Sequence, residues 1–277
     1  MSGSVGEFQR CLKWVLVIEG GYIDDPDDPG GATNQGVTQR VYDDYRRSMG
    51  NKPQPVRLMA NHERDAIYRI RYWALIKADS LPPGVSLVVF DGAVHSGVSQ
   101  SVKWLQRAVG VPADGVIGPQ TLTAVRAFDN PGVLIERICG QRLMFLQALK
   151  TWKKYRNGWT KRVANVRTTA QQWALAMAAP EVAAIAGAEK KALLADAKAP
   201  PPKAPGDIAA GGGTMSAIIT QATDQLTPLT SIPFVAHAVT ALTVAGVVVA
   251  IGGIGYRAWA NRRANQLADA LGVVAHA

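Results

Sequence analysis

The chain has 277 residues, is 48% hydrophobic and carries 30 Lys+Arg against 21 Asp+Glu, a formal charge of +9. That length and apolar content support a sizeable buried core and exclude a disordered chain. The positive balance suits an anionic partner such as nucleic acid, anionic lipid or a cell-wall polymer, and the two widely separated cysteines, Cys11 and Cys139, lie outside any metal-type spacing and read as buried reduced thiols, with a disulfide or a site as the alternative.

The N-terminus lacks the basic region, long apolar run and small-residue cleavage site of a secretory signal. Residues 5–19 place Phe8, Cys11, Leu12, Val15, Leu16 and Ile18 near i, i+3/i+4 spacing, which predicts an amphipathic helix closing at Glu19-Gly20-Gly21. The next stretch, "YIDDPDDPGGATNQGVT", is rich in Gly, Asp and Pro and reads as turns and loop.

Helical segments are expected over 38–49, 61–79 and 84–96, punctuated by prolines. The run Val85–Phe90 has strand-like composition, but no second convincing strand exists to pair with it, so a buried helix is the reading. From Gln100 another helix carries Val102, Leu105 and Val109 on one face until Gly110. A turn at Asp114-Gly115 follows, and Gly118-Pro119 opens the next helix. A long helix over 131–156 and a shorter one over 158–175 close the globular part.

Beyond residue 176 the composition shifts to Ala, Lys, Pro and Gly, including "DAKAPPPKAPGDIAAGGG", which reads as a linker. Residues 232–259 then lack any acidic or basic residue between Asp224 and Arg257. The run matches what a helix needs to cross a hydrocarbon core of about 30 Å. Arg257, Arg262 and Arg263 follow it, which orients the C-terminus to the cytoplasmic side. Ala241, Ala245, Gly246, Ala250, Gly252, Gly253 and Gly255 are small enough for two such helices to pack closely, so self-association through the span stays open.

Glycoside cleavage needs a carboxylic acid to protonate the leaving oxygen and a second group to handle water or positive charge. Glu19, at the end of an apolar helix, is placed for the first task, and Asp28 lies nine residues on, far enough for the chain to return it opposite. Thr33 and Thr38 can position a water, and the glycines permit close approach of backbone to a sugar.

The stretch "EGGYIDDPDDPGGATNQGVT" resembles the signature of glycoside hydrolase family 108, the N-acetylmuramidases of phages and bacterial secretion-activator proteins. Glu19 matches that family's catalytic glutamate, and Asp28, Gly30, Gly31, Thr33, Gly36 and Thr38 match the rest of its motif. "SVKWLQRAVGVPADGVIGPQTLTAV" is similar to the accompanying peptidoglycan-binding module, with landmarks at Leu105, Gln106, Gly110, Asp114, Gly115, Gly118 and Thr121; "RNGWTKRV" at 156–163 fits its end. "DGAVHSG" at 91–97 departs from the pattern, which leads one to expect Asn at His95.

The resemblance implies a mainly α, lysozyme-like helical domain with a small loop or β-hairpin lobe, followed by a linker and one transmembrane helix. The expected organisation is a muramidase region at 5–97, a peptidoglycan-binding-like helical module at 98–175, a linker at 176–231, a span at 232–259 and a basic tail at 260–277. The implied activity is lysozyme, with Glu19, Asp28 and Thr33 catalytic and Tyr22, Gly31, Gly36 and Thr38 on the glycan. No cofactor, metal or nucleic acid is expected, and the partners are peptidoglycan strands and a membrane. The topology points to a phage endolysin anchored in the host inner membrane with its catalytic part in the periplasm. A lytic transglycosylase and a non-catalytic wall-binding or secretion-accessory protein remain as alternatives.

Overall fold

The structure is a computed structural model that describes residues 2–24, 31–176, 183–203 and 233–273, with residues 221 and 224 between the last two. Asp28 and Gly30 lie outside the described residues. Two compact units divide the chain, 1–197 and 198–277.

The first unit is mainly helical. Helix α1 (Ser2–Glu19) leads into three two-residue strands, β1 (Tyr22–Ile23), β2 (Thr33–Asn34) and β3 (Val37–Thr38), paired antiparallel in that order. Asn34 pairs with Val37, leaving Gln35-Gly36 as a two-residue turn with positive φ at both positions, the backbone that favours tight hairpins. Six helices follow: α2 (Gln39–Ser48), α3 (Asn61–Tyr68), α4 (Val85–Ser96), α5 (Val98–Val109), α6 (Pro119–Arg126) and α7 (Pro131–Gln147). Helix α8 (Trp152–Ala174) completes the helical body.

Helix α4 is the centre. All twelve of its residues are buried, as expected of a helix apolar on every side, and it packs against α1, α5, α7 and α8. Phe8, Trp73 and Phe90 meet edge to face beside it, and Trp104 packs on Phe145 at its other flank. The apolar run at 85–90 is thus a buried helix, as read from the sequence.

Two segments differ from expectation. The single helix expected over 61–79 is α-helical only to Tyr68, passes through a π turn at Arg69–Trp73, and then breaks at Lys77, whose φ is +44°. The turn seats Trp73 fully in the core with its indole N–H on Asp79 at 2.8 Å. The break expected at Asn157-Gly158 falls instead at 148–151, and Gly158 lies inside α8. Lys150 N–H donates to the Asp196 carbonyl at 2.8 Å and Leu149 bridges to Ala197, so an outside segment supplies the partners that end α7.

That outside segment is 183–197, within the stretch read as a linker. It lies against α4 and α8, and Ala188 and Ala192 are fully buried there.

Loop 110–118 is organised by buried Gln106, whose amide donates to Asp114 and to the Val116 carbonyl and accepts from the Gly115 N–H. Asp114 and Gly115 therefore act as turn residues. The Gln106 amide and the Val116 N–H hold the Asp114 carboxyl below its usual range. Cys11 and Cys139 are buried free thiols, and burial pushes Cys139 up to about 12.

In the second unit, α9 (Pro233–Leu271) is one continuous helix. Its stretch Thr243–Leu271, which holds an 18-residue window of mean hydropathy 1.3, is long and apolar enough to cross a membrane by length and composition. Arg257, Arg262 and Arg263 lie within the helix.

Candidate active site

Glu19 is the last residue of α1. Gly20 follows with φ +75°, the left-handed conformation that ends a helix cheaply only in glycine. The helix terminus therefore presents the Glu19 side chain inward, where only 2% of it is exposed. Both carboxylate oxygens are engaged by cations: Arg162 Nη2 donates to Oε1 at 2.9 Å and Lys191 Nζ donates to Oε2 at 2.6 Å.

Arg162 stands on α8 and belongs to a larger buried network. Its Nε and Nη2 both donate to Asp91 Oδ1 on α4, at 2.9 and 2.6 Å, and Arg142 on α7 donates to Asp91 Oδ2. Burial alone would raise the Asp91 carboxyl, but Arg162 and Arg142 outweigh it and hold it below the usual carboxylate range. Burial alone would lower the Arg162 guanidinium, yet Asp91 and Glu19 keep it above its ordinary value. Two carboxylates and two guanidiniums, drawn from α1, α4, α7 and α8, thus fix Glu19 from behind.

The β lobe closes the other side. At Gly36, φ is +76°, and a Cβ would lie against the Tyr68 hydroxyl and 2.8 Å from Glu19 Oε2. Only glycine lets this turn approach the carboxylate so closely. Tyr68 donates to the Gln35 carbonyl at 2.8 Å. Burial, and then the charge of Glu19, push its hydroxyl well above its usual range, so it stays a neutral donor. Arg64 holds the same turn through the Gln35 side chain at 2.6 Å.

Of the other residues read from the sequence, Gly36 adjoins Glu19 directly among the described residues. Thr33 pairs with Thr38 across β2 and β3, and its hydroxyl donates to the Gly31 carbonyl at 3.3 Å. The Thr38 hydroxyl caps α2 by accepting the Val41 N–H. Tyr22 is exposed at the edge of the lobe and donates to Asp24 at 3.0 Å. Gly31 has a positive φ with open space around it. An open groove of about 340 Å³ runs over α1 and α3, lined by Gln9, Leu12, Lys13, Leu16, Val17 and Arg64; Glu19 does not line it.

Sequence reasoning missed Asp91, Arg142, Arg162 and Lys191. Asp91 had a signal, an acid inside the otherwise apolar "VSLVVFDGAVHS". The cations had none, since Arg162 and Lys191 meet Glu19 from 143 and 172 residues away. His95, where the family pattern leads one to expect Asn, sits on the next turn of α4, its ring against Trp159 and its Nδ1 3.2 Å from Ser96 Oγ. Burial, then Arg162, Arg142 and Lys191, hold its imidazole well below the ordinary histidine value, so it is neutral.

Glu19 is thus a buried glutamate at a helix end, beside a small three-stranded lobe and held by an arginine from a distant helix, in a mainly helical, lysozyme-like fold. Residues 12–97 match the family model described as Glycosyl hydrolase 108, and residues 100–164 match the one described as Predicted Peptidoglycan domain. Among solved structures, the chain is similar to one titled "Structure of Brucella abortus SagA", with 40% identity, coverage of 61% of this chain and 97% of that one, and a TM-score of 0.54. No curated protein matches the chain. The chain belongs to the glycosyl hydrolase 108 family. It is a glycoside hydrolase acting on peptidoglycan, which its second module binds.

Proposed function

We propose that the protein is an N-acetylmuramidase that cleaves the β-1,4 bond between N-acetylmuramic acid and N-acetylglucosamine. The observation that carries this reading is the position of Glu19: a buried carboxyl at the end of α1, 2.9 Å from Arg162 and directly beside the backbone of Gly36. A general acid must be held in one geometry against the leaving oxygen, and Arg162 supplies that hold. Asp28 is the second carboxylate, activating water or stabilising positive charge, and Thr33 serves the water. Tyr22, Gly31, Gly36 and Thr38 line the glycan path on the β lobe.

In this account the charge of +9 favours encounter with an anionic wall. The apolar C-terminal helix anchors the enzyme in the inner membrane of a host bacterium, with the catalytic part in the periplasm, as befits a phage endolysin. Self-association through the small-residue face of that helix belongs to the same proposal.

Mass spectrometry of fragments released from purified peptidoglycan tests the reaction. Hydrolysis leaves reducing muramic acid ends, whereas anhydro-muramic ends identify a transglycosylase and overturn the assignment.

A further inference from the structure

We infer that residues 183–197 form an autoinhibitory strap whose Lys191 occupies the acid site. The inference rests on the reading of Glu19 as the catalytic acid, and concerns how access to it is controlled.

The strap lies outside both family-matched regions, which end at residue 164, yet its docking is specific. Trp159 Nε1 donates to the Lys190 carbonyl at 2.8 Å, Arg162 Nη1 donates to the Ala188 carbonyl at 2.8 Å, and the Ala192 N–H donates to the His95 carbonyl at 3.1 Å. Gly158 is the seat. A Cβ there would meet backbone atoms of Ala186, Gly187 and Ala188 at 2.6 to 2.7 Å. A glycine inside a helix costs about 1 kcal/mol relative to alanine; here its absent side chain makes room for the strap backbone.

With the strap docked, Glu19 cannot act as an acid. Its side chain is 2% exposed, whereas that of Lys191 is 34% exposed, and the Lys191 ammonium donates directly to Oε2 at 2.6 Å. A general acid must come within about 2.6–3.2 Å of the leaving oxygen. Arg162 and Lys191 hold both Glu19 oxygens instead. A protonated Glu19 would need an acceptor for its O–H, and an ammonium has three donors and none to offer.

The charges explain how the strap leaves without wrecking the site. Without Lys191, Glu19 and Asp91 still face Arg142 and Arg162, so departure strands no unpaired buried charge. Lys191 is the surplus cation, and it sits on the strap rather than on a helix of the body.

The test uses the full-length chain. Gly158→Ala puts a methyl group where the strap backbone runs while favouring α8. Cleavage by trypsin after Lys190 and Lys191 should accelerate, and peptidoglycan hydrolysis should rise at least about fivefold, the low end of typical couplings between sites. Lys191→Ala should raise hydrolysis similarly with the strap still docked. If Gly158→Ala exposes the strap while hydrolysis stays level or falls, the strap is not inhibitory. If Gly158→Ala leaves the strap in place, Lys191→Ala decides, and no rise overturns the inference. Glu19→Gln separates the two readings: undiminished hydrolysis in that variant removes the acid assignment, whereas the strap stands or falls on the rates of Gly158→Ala and Lys191→Ala.

Discussion

Arg162 reaches Glu19 at 2.9 Å across 143 residues of sequence, so α8, in the second family-matched region, holds the buried glutamate of the first. Both regions lie in one compact unit. Arg162→Met, similar in length but uncharged, leaves Asp91 and Glu19 buried with one cation fewer. Losing one partner of a buried pair costs about 3–5 kcal/mol, so the first unit should melt far earlier in thermal denaturation. A melting temperature within a degree or two of the parent would show that Arg162 is dispensable to the fold.

Gly36→Ala separates geometry from stability. The left-handed backbone costs alanine about 1–2 kcal/mol, and the new methyl would press on Glu19 Oε2, 2.8 Å away. Displacing a catalytic group by even about 1 Å can cost 10²-fold in rate. Hydrolysis should therefore fall about 10²-fold while the chain remains folded; full activity would show that the turn does not position the acid.

His95 makes stability depend on pH. The unfolded imidazole takes a proton near its ordinary value of 6.5, whereas burial holds the folded one well below it. Below pH 6.5 the unfolded state binds the extra proton, so stability falls as pH drops, by about 1.4 kcal/mol per unit. Asp91 adds a second loss at lower pH: its folded carboxyl lies below 3.8, and the stability it brings fades as pH falls through the folded value. In urea titrations, His95→Asn should flatten the slope between pH 6.5 and 5, and a slope equal to the parent's would refute the assignment.

Membrane insertion can be tested apart from catalysis. Val248 lies within the stretch 232–256, which carries no acidic residue, Lys or Arg, and near the middle of a span an arginine costs about 2.5–3.5 kcal/mol of insertion. The parent should sediment with membranes resistant to carbonate extraction, and Val248→Arg should be partly extracted. Extraction of the parent itself would contradict a spanning helix.

The legible parts of the molecule were those written locally. Helix α1, its stop at Gly20, the buried helix at 85–96 and the glycine turn at 36 each follow from periodicity or backbone chemistry within a few residues. Glu19 stood out because of the chain that follows it. The cations that hold it did not, because a guanidinium on a helix 143 residues away leaves no mark near residue 19. Asn157-Gly158 misled for a related reason. The pair looks like a helix break, but Gly158 is small to admit a segment from elsewhere in the chain. Composition likewise made 183–197 resemble a linker, since its small side chains suit close packing as well as slack.

The most direct test of the central claim is the rate at which Glu19→Gln releases soluble fragments from purified peptidoglycan, measured beside the parent with folding checked by thermal melt. Loss of a positioned general acid should lower that rate by about 10²–10⁴-fold, with the parent's fragments carrying reducing muramic acid ends. A folded Glu19→Gln chain that releases fragments at the parent's rate would contradict the account.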